Sequence, residues 1–120
     1  KAGCLSEDEI LTTIKTCFNE TGYLLDTHTA IGYGVLKQYQ QETGDHTKTV
    51  LLSTASPYKF PESVYQAIYG EELDIDKLSE KTGVPVPQAL AGIKEREVLH
   101  KEAIDKTEII SFIKSEIEAM

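Results

Sequence analysis

The residues best equipped for chemistry lie in two short stretches. One is Ser53-Thr54-Ala55-Ser56-Pro57-Tyr58-Lys59, in which three hydroxyls and a lysine follow the apolar run Val50-Leu51-Leu52. The other is Asp26-Thr27-His28, which follows Tyr23-Leu24-Leu25. Two roles are open to the hydroxyls. Ser53, Thr54 and Ser56 can satisfy loop amides and cap the next helix, leaving Lys59 an ordinary surface lysine. Alternatively, one hydroxyl at the end of a buried strand donates a hydrogen bond to a heterocyclic ligand. Asp26 likewise suits either a crevice wall or a helix cap, and His28 stands where a strand would give way to a helix.

These residues need elements to position them. Ser6-Glu7-Asp8-Glu9 reads as a capping box, and Ile10, Leu11, Ile14, Cys17 and Phe18 keep helical spacing up to Gly22, which predicts a helix over about 7–20. Residues 23–25 read as a short buried strand. A second helix is expected from Thr29 to Glu42, with Gly32 and Gly34 either thinning it for close packing or weakening it. The β-branched, apolar run 49–53 reads as a second strand. A strand, helix, strand order implies a right-handed crossover between parallel strands, with both polar stretches opening on the same edge. Further helices are expected from Pro61 to Gly70 and over about 73–81, with an extended piece at 84–87 and a short helix and connector marked by Leu90, Ile93 and Val98. Asp105-Lys106-Thr107-Glu108 should cap a last helix with an apolar stripe of Ile109, Ile110, Phe112, Ile113 and Ile117.

Composition narrows the function. The 120 residues suit one domain, and 40% hydrophobic with 27% charged residues is ordinary globular composition. The net charge of −8 and the lack of a Lys/Arg stripe argue against nucleic acid, and no apolar run approaches a bilayer span. Cys4 and Cys17 match neither a zinc nor a redox spacing and read as reduced thiols of a cytoplasmic chain. The three histidines, His28, His46 and His100, lack a second ligand at helical or hairpin spacing, so no metal site is expected; His46 reads as a turn residue and His100 as surface. Phosphate-loop, dinucleotide and nucleophile-elbow motifs are missing. Because the first residue is Lys1 and the sole methionine is Met120, an upstream portion is expected.

GYLLDTHTAIGYGV (residues 22–35), followed by TVLLSTASPYKFPESV (residues 49–64), resembles the C-terminal part of bacterial threonine synthases, and GEELDIDKLSEKTGVPVPQALAGI (residues 70–93) resembles that family's tail. The resemblance covers nearly all of the chain. It implies a fragment of a three-layer, parallel-sheet α/β enzyme dependent on pyridoxal 5′-phosphate (PLP), converting O-phospho-L-homoserine and water to L-threonine and phosphate. Residues 1–70 would then be part of the cofactor-binding α/β domain and 71–120 its helical tail. The Schiff-base lysine and the phosphate cup would lie upstream, so this part alone is expected to be inactive and to have the upstream portion of the enzyme as its partner. In that fold type a neutral hydroxyl contacts the pyridine nitrogen. The resemblance assigns this to Thr54, with Ser53 next, and puts Asp26, His28 and Lys59 in the crevice wall. Thr27 and Ser56 depart from the family, many members of which carry proline and histidine there. The alternatives are a freestanding α/β interaction module, its last helix docking on a partner, and another PLP enzyme of the same fold type.

Overall fold

The computed structural model describes residues 2–71, 75–99 and 101–119. Five α-helices form: α1 (Glu7–Thr21), α2 (Thr27–Thr43), α3 (Pro61–Tyr69), α4 (Ile75–Thr82) and α5 (Ile109–Glu118), with single 3-10 turns at Pro57–Lys59 and Ile93–Glu95. Leu73, the expected start of the fourth helix, lies outside the described residues, as does His100.

Local chemistry accounts for the helix ends. Ser6 and Glu9 form the capping box: the Ser6 hydroxyl accepts from the Glu9 amide, while the Ser6 amide donates to Glu9 Oε2 at 2.7 Å. The second helix begins two residues earlier than its apolar pattern suggests, because Asp26 supplies the cap. Gly22 takes a left-handed conformation (φ 72°) and returns its amide to the Phe18 carbonyl, ending α1. At the far end, Asp105 accepts from the Thr107 amide and hydroxyl in a turn ahead of α5, whose own N-cap, Glu108, makes no side-chain cap bond.

The parallel-sheet α/β architecture is not found: no strand forms among the described residues. A strand is held by hydrogen bonds to a neighbouring strand, and each segment expected to supply one lacks that neighbour. Residues 23–25 form a link between α1 and α2, where Leu24 and Leu25 are buried by helices. Residues 49–53 run over the surface with Val50 84% and Leu52 76% exposed. Only Leu51 turns inward, toward Gly32 of α2: a Cβ there would lie 2.9 Å from Leu51 Cδ1. The apolar run that suggested a buried strand is therefore a loop without a sheet to join.

The core is helical. α1 packs on both α2 and α3, and α4 packs on α3. Ile14 and Cys17 of α1, Ala30 of α2, Val64, Tyr65, Ala67 and Ile68 of α3 and Leu78 of α4 make the buried cluster, completed by Leu24, Leu25 and Tyr58. Gly34 thins α2 where α1 crosses it, since a Cβ at that position would lie 2.5 Å from Leu5 Cδ1 and 3.2 Å from Thr13 Oγ1. Beyond this cluster the chain spreads. Its radius of gyration is 18.4 Å, against about 14 Å for a compact domain of this length. Its accessible surface of 9050 Å² exceeds the roughly 6,500 Å² typical of a folded monomer of this mass. Helix α5 buries no residue and exposes Ile109, Ile110, Ile113 and Ile117.

The start of α1 is pH-sensitive in one direction. Hydrogen bonds from the backbone and then the hydroxyl of Ser6 hold the Glu9 carboxyl below the usual glutamate range. A depressed folded-state value means that the contribution is complete above the unfolded-state value and is lost as pH falls through the folded one. The protection factors of the amides of residues 6–10, taken relative to the intrinsic exchange rate at each pH, should fall as the solution is acidified below about pH 4. Glu9→Ala should remove most of that dependence, which residue-resolved hydrogen exchange can follow.

Candidate functional site

Asp26 is the hub of the polar edge. It is buried, with 1% of its surface exposed. Its Oδ1 accepts from the amides of His28 (2.9 Å) and Thr29 (3.2 Å), and its Oδ2 accepts from the Thr29 hydroxyl. The carboxylate thus satisfies two of the four free amides at the start of α2, a position at which negative charge is also favoured by the helix dipole. Of Asp26's two readings, the geometry carries the helix cap.

His28 sits on the solvent side of this cap, its side chain 62% exposed. Its Nδ1 lies 3.5 Å from Asp26 Oδ1 and 3.4 Å from Thr27 Oγ1. The imidazole also meets the Phe60 ring at a centroid distance of 5.0 Å with a 49° tilt. That contact joins the two stretches that are separate in sequence.

A second contact joins them from the buried side: Thr29 Oγ1 lies 3.5 Å from Ser53 Oγ. Ser53 is otherwise exposed, with the Ala55 carbonyl 3.5 Å away. Thr54, one residue on, is exposed, and its hydroxyl has no partner among the described residues. Ser56 is used locally: its Oγ accepts from the Tyr58 amide at 3.2 Å and starts the 3-10 turn at Pro57–Lys59. That turn buries Tyr58, whose hydroxyl donates to the Val84 carbonyl, and leaves Lys59 exposed without an ion pair among the described residues.

Asp26, His28 and Ser53 are therefore connected directly or through Thr29 and Phe60, while Thr54 and Lys59 flank the same corner along the chain. Thr29 and Phe60 were not singled out in the sequence. Thr29 had a local signal, since a hydroxyl three residues after a capping aspartate can reach its carboxylate. Phe60 had none, because its partner is 32 positions away in sequence. The expected crevice beyond two strand ends is replaced by a corner between the N-terminus of α2 and the loop leading into α3.

Exposed neutral hydroxyls thus lie near a carboxylate already committed to backbone amides, on a helical segment with much uncovered apolar surface. The family described as "Threonine synthase, C-terminal" matches residues 29–113, and the chain belongs to this family. The match takes in Ser53, Thr54 and Lys59; Asp26 and His28 fall just before it. The chain is similar to threonine synthase of Haemophilus influenzae, 39% identical over 82 residues, which are 67% of this chain and 18% of that protein. It is also similar to threonine synthase of Pseudomonas aeruginosa, 36% identical over 67 residues, 56% of this chain and 14% of that protein. Human threonine synthase-like 1 is 35% identical over 69 residues, 58% of this chain and 9% of that protein. The chain thus spans less than a fifth of the length of these relatives. No solved structure matches it.

The cap makes a measurable claim. Asp26→Ala removes the acceptor for two amides and the buried Thr29 hydroxyl, and should destabilise the chain by about 1–3 kcal/mol. Asp26→Asn keeps a capping oxygen and should lose less. Urea titrations followed by helical circular dichroism test the order.

Proposed function

We propose that this chain is the C-terminal part of a PLP-dependent threonine synthase, a carbon-oxygen lyase acting on a phosphate ester. The complete enzyme converts O-phospho-L-homoserine and water to L-threonine and phosphate in the cytoplasm. Family membership supports the reading, and the observation that carries it to particular residues is the pair of exposed hydroxyls, Ser53 and Thr54, inside the matched region. In this reading residues 1–70 contribute to the cofactor-binding unit, 71–120 are its tail, and the covalent lysine belongs to the rest of the protein. The isolated segment is then inactive.

The residues present fit the group. A pyridine nitrogen needs one hydrogen-bond donor, and Thr54 offers a hydroxyl that has no partner among the described residues, with Ser53 next to it. The one buried carboxylate of the corner, Asp26, has both oxygens engaged by α2, so it is not available to pair with the ring. When bound, PLP supplies an electron sink for charge developing on the amino-acid substrate. Thr54 would hold the ring nitrogen by a hydrogen bond from its neutral hydroxyl, and such a partner would leave the sink weaker than a carboxylate would. Lys59 adds a positive charge to the same edge, and Ser56 fixes the turn that carries Lys59.

The uncovered apolar surface of residues 50–52 and of α5 fits a segment that packs on a larger body, and we assign that body to the remainder of the same enzyme. In the complete protein, Thr54→Val should shift the cofactor's absorption and lower kcat about tenfold, the effect of losing one hydrogen bond at the site. Ser56→Ala should cost some stability without that spectral shift. Identical spectra for wild type and Thr54→Val would remove Thr54 from the cofactor.

A further inference from the structure

Helix α2 carries glycine at two interior positions, 32 and 34, and an interior glycine weakens a helix relative to alanine. Two positions are about 200° apart around a helix, so the two glycines face different neighbours. Gly34 receives Leu5 and serves the packing of α1, whereas Gly32 receives Leu51. A Cβ at position 32 would lie 2.9 Å from Leu51 Cδ1, closer than side chains pack. Gly32 is therefore a notch for one side chain of the loop that carries the hydroxyls.

The same face of α2 holds the loop a second time. Thr29 stands three positions before Gly32, a spacing that places both on one side of the helix. Its hydroxyl donates to Asp26 Oδ2 and lies 3.5 Å from Ser53 Oγ. Leu51 and Ser53 are two residues apart, the period at which side chains of an extended segment share a side. Val50, Leu52 and Thr54 alternate with them and are exposed. One contact would let the segment pivot; the apolar and the polar contact together fix where it lies along α2 and which of its side chains face outward. A slip by one residue would bring Leu52 to the notch and turn Thr54 toward the helix.

We propose that Gly32 and Leu51 are positioning residues for Thr54: the notch sets the register in which Leu51 and Ser53 meet α2 and Thr54 is left outward to meet the cofactor's ring nitrogen. The proposal rests on the PLP reading for what Thr54 meets, but not for the seating of the loop.

Two measurements separate these parts. In this chain, nuclear Overhauser contacts should run from the Leu51 methyls to the Gly32 α-protons; contacts from the Leu52 methyls instead, or none from Leu51, overturn the register. In the complete enzyme, Gly32→Val fills the notch and Leu51→Ala empties it. Each should shift the cofactor's absorption in the same direction as Thr54→Val and lower kcat about two- to tenfold, no more than loss of the Thr54 bond itself. Valine is a better helix former than glycine, and Leu51 is partly exposed, so Leu51→Ala keeps the fold even if Gly32→Val does not. The double variant Gly32→Val/Leu51→Ala moves the lost volume from loop to helix and should regain most of kcat and the wild-type absorption. On a Thr54→Val background neither substitution should lower kcat further, because both act through Thr54. Single variants with wild-type spectra and kcat, in an enzyme that Thr54→Val alters, overturn the positioning claim alone. Additive losses without recovery in the double variant do the same. A Thr54→Val enzyme with an unaltered spectrum removes Thr54 from the cofactor and the claim in the enzyme with it, and a complete protein that binds no PLP overturns the functional reading.

Discussion

The buried carboxylate of Asp26 is the constraint on which the polar corner depends. A carboxylate with 1% exposure is costly to desolvate unless its oxygens are occupied, and here they are occupied by two helix amides and a hydroxyl. The same bonds start α2, orient Thr29 toward Ser53 and place a negative charge behind His28. One side chain thus fixes a helix boundary, a contact between two distant stretches and the electrostatic setting of an imidazole. Its service to the backbone also keeps it from acting as a ligand.

The hydrophobic arrangement around this corner is uneven. Helices α1, α2, α3 and α4 bury a continuous cluster centred on Ile14, Val64 and Leu78. Residues 50–52 and α5 keep their apolar side chains largely in solvent, apart from Leu51 and Phe112. Apolar surface removed from water stabilises at about 25 cal/mol per Å², so these faces contribute little to the helical cluster and much to any larger body they join. The family relationship gives that larger body a natural identity, since the matched relatives are several times longer than the shared region.

The local features were legible in the sequence. The Ser6–Glu9 box, the glycine stops at Gly22 and Gly70, and the apolar periodicity over 7–20 and 29–42 gave three helix positions close to those found, because caps and periodicity act over a few residues. The choice between strand and loop for Thr49-Val50-Leu51-Leu52 was not legible. Its β-branched, apolar composition is compatible with a strand, but composition cannot supply a neighbour to pair with. The same holds for Tyr23-Leu24-Leu25, of which Leu24 and Leu25 are buried as expected but beneath helices instead of within a sheet, while Tyr23 is exposed.

The sequence by itself determined the helix caps, the apolar stripes and, through its DTHTA and STASPYKF stretches, the family. Each of these depends on residues close together in the chain or on motif spelling. Tertiary structure alone decided that Phe60 meets His28 and that Thr29 reaches Ser53. Those contacts arise because α3 and the loop before it fold back onto the start of α2, a juxtaposition that no local propensity encodes.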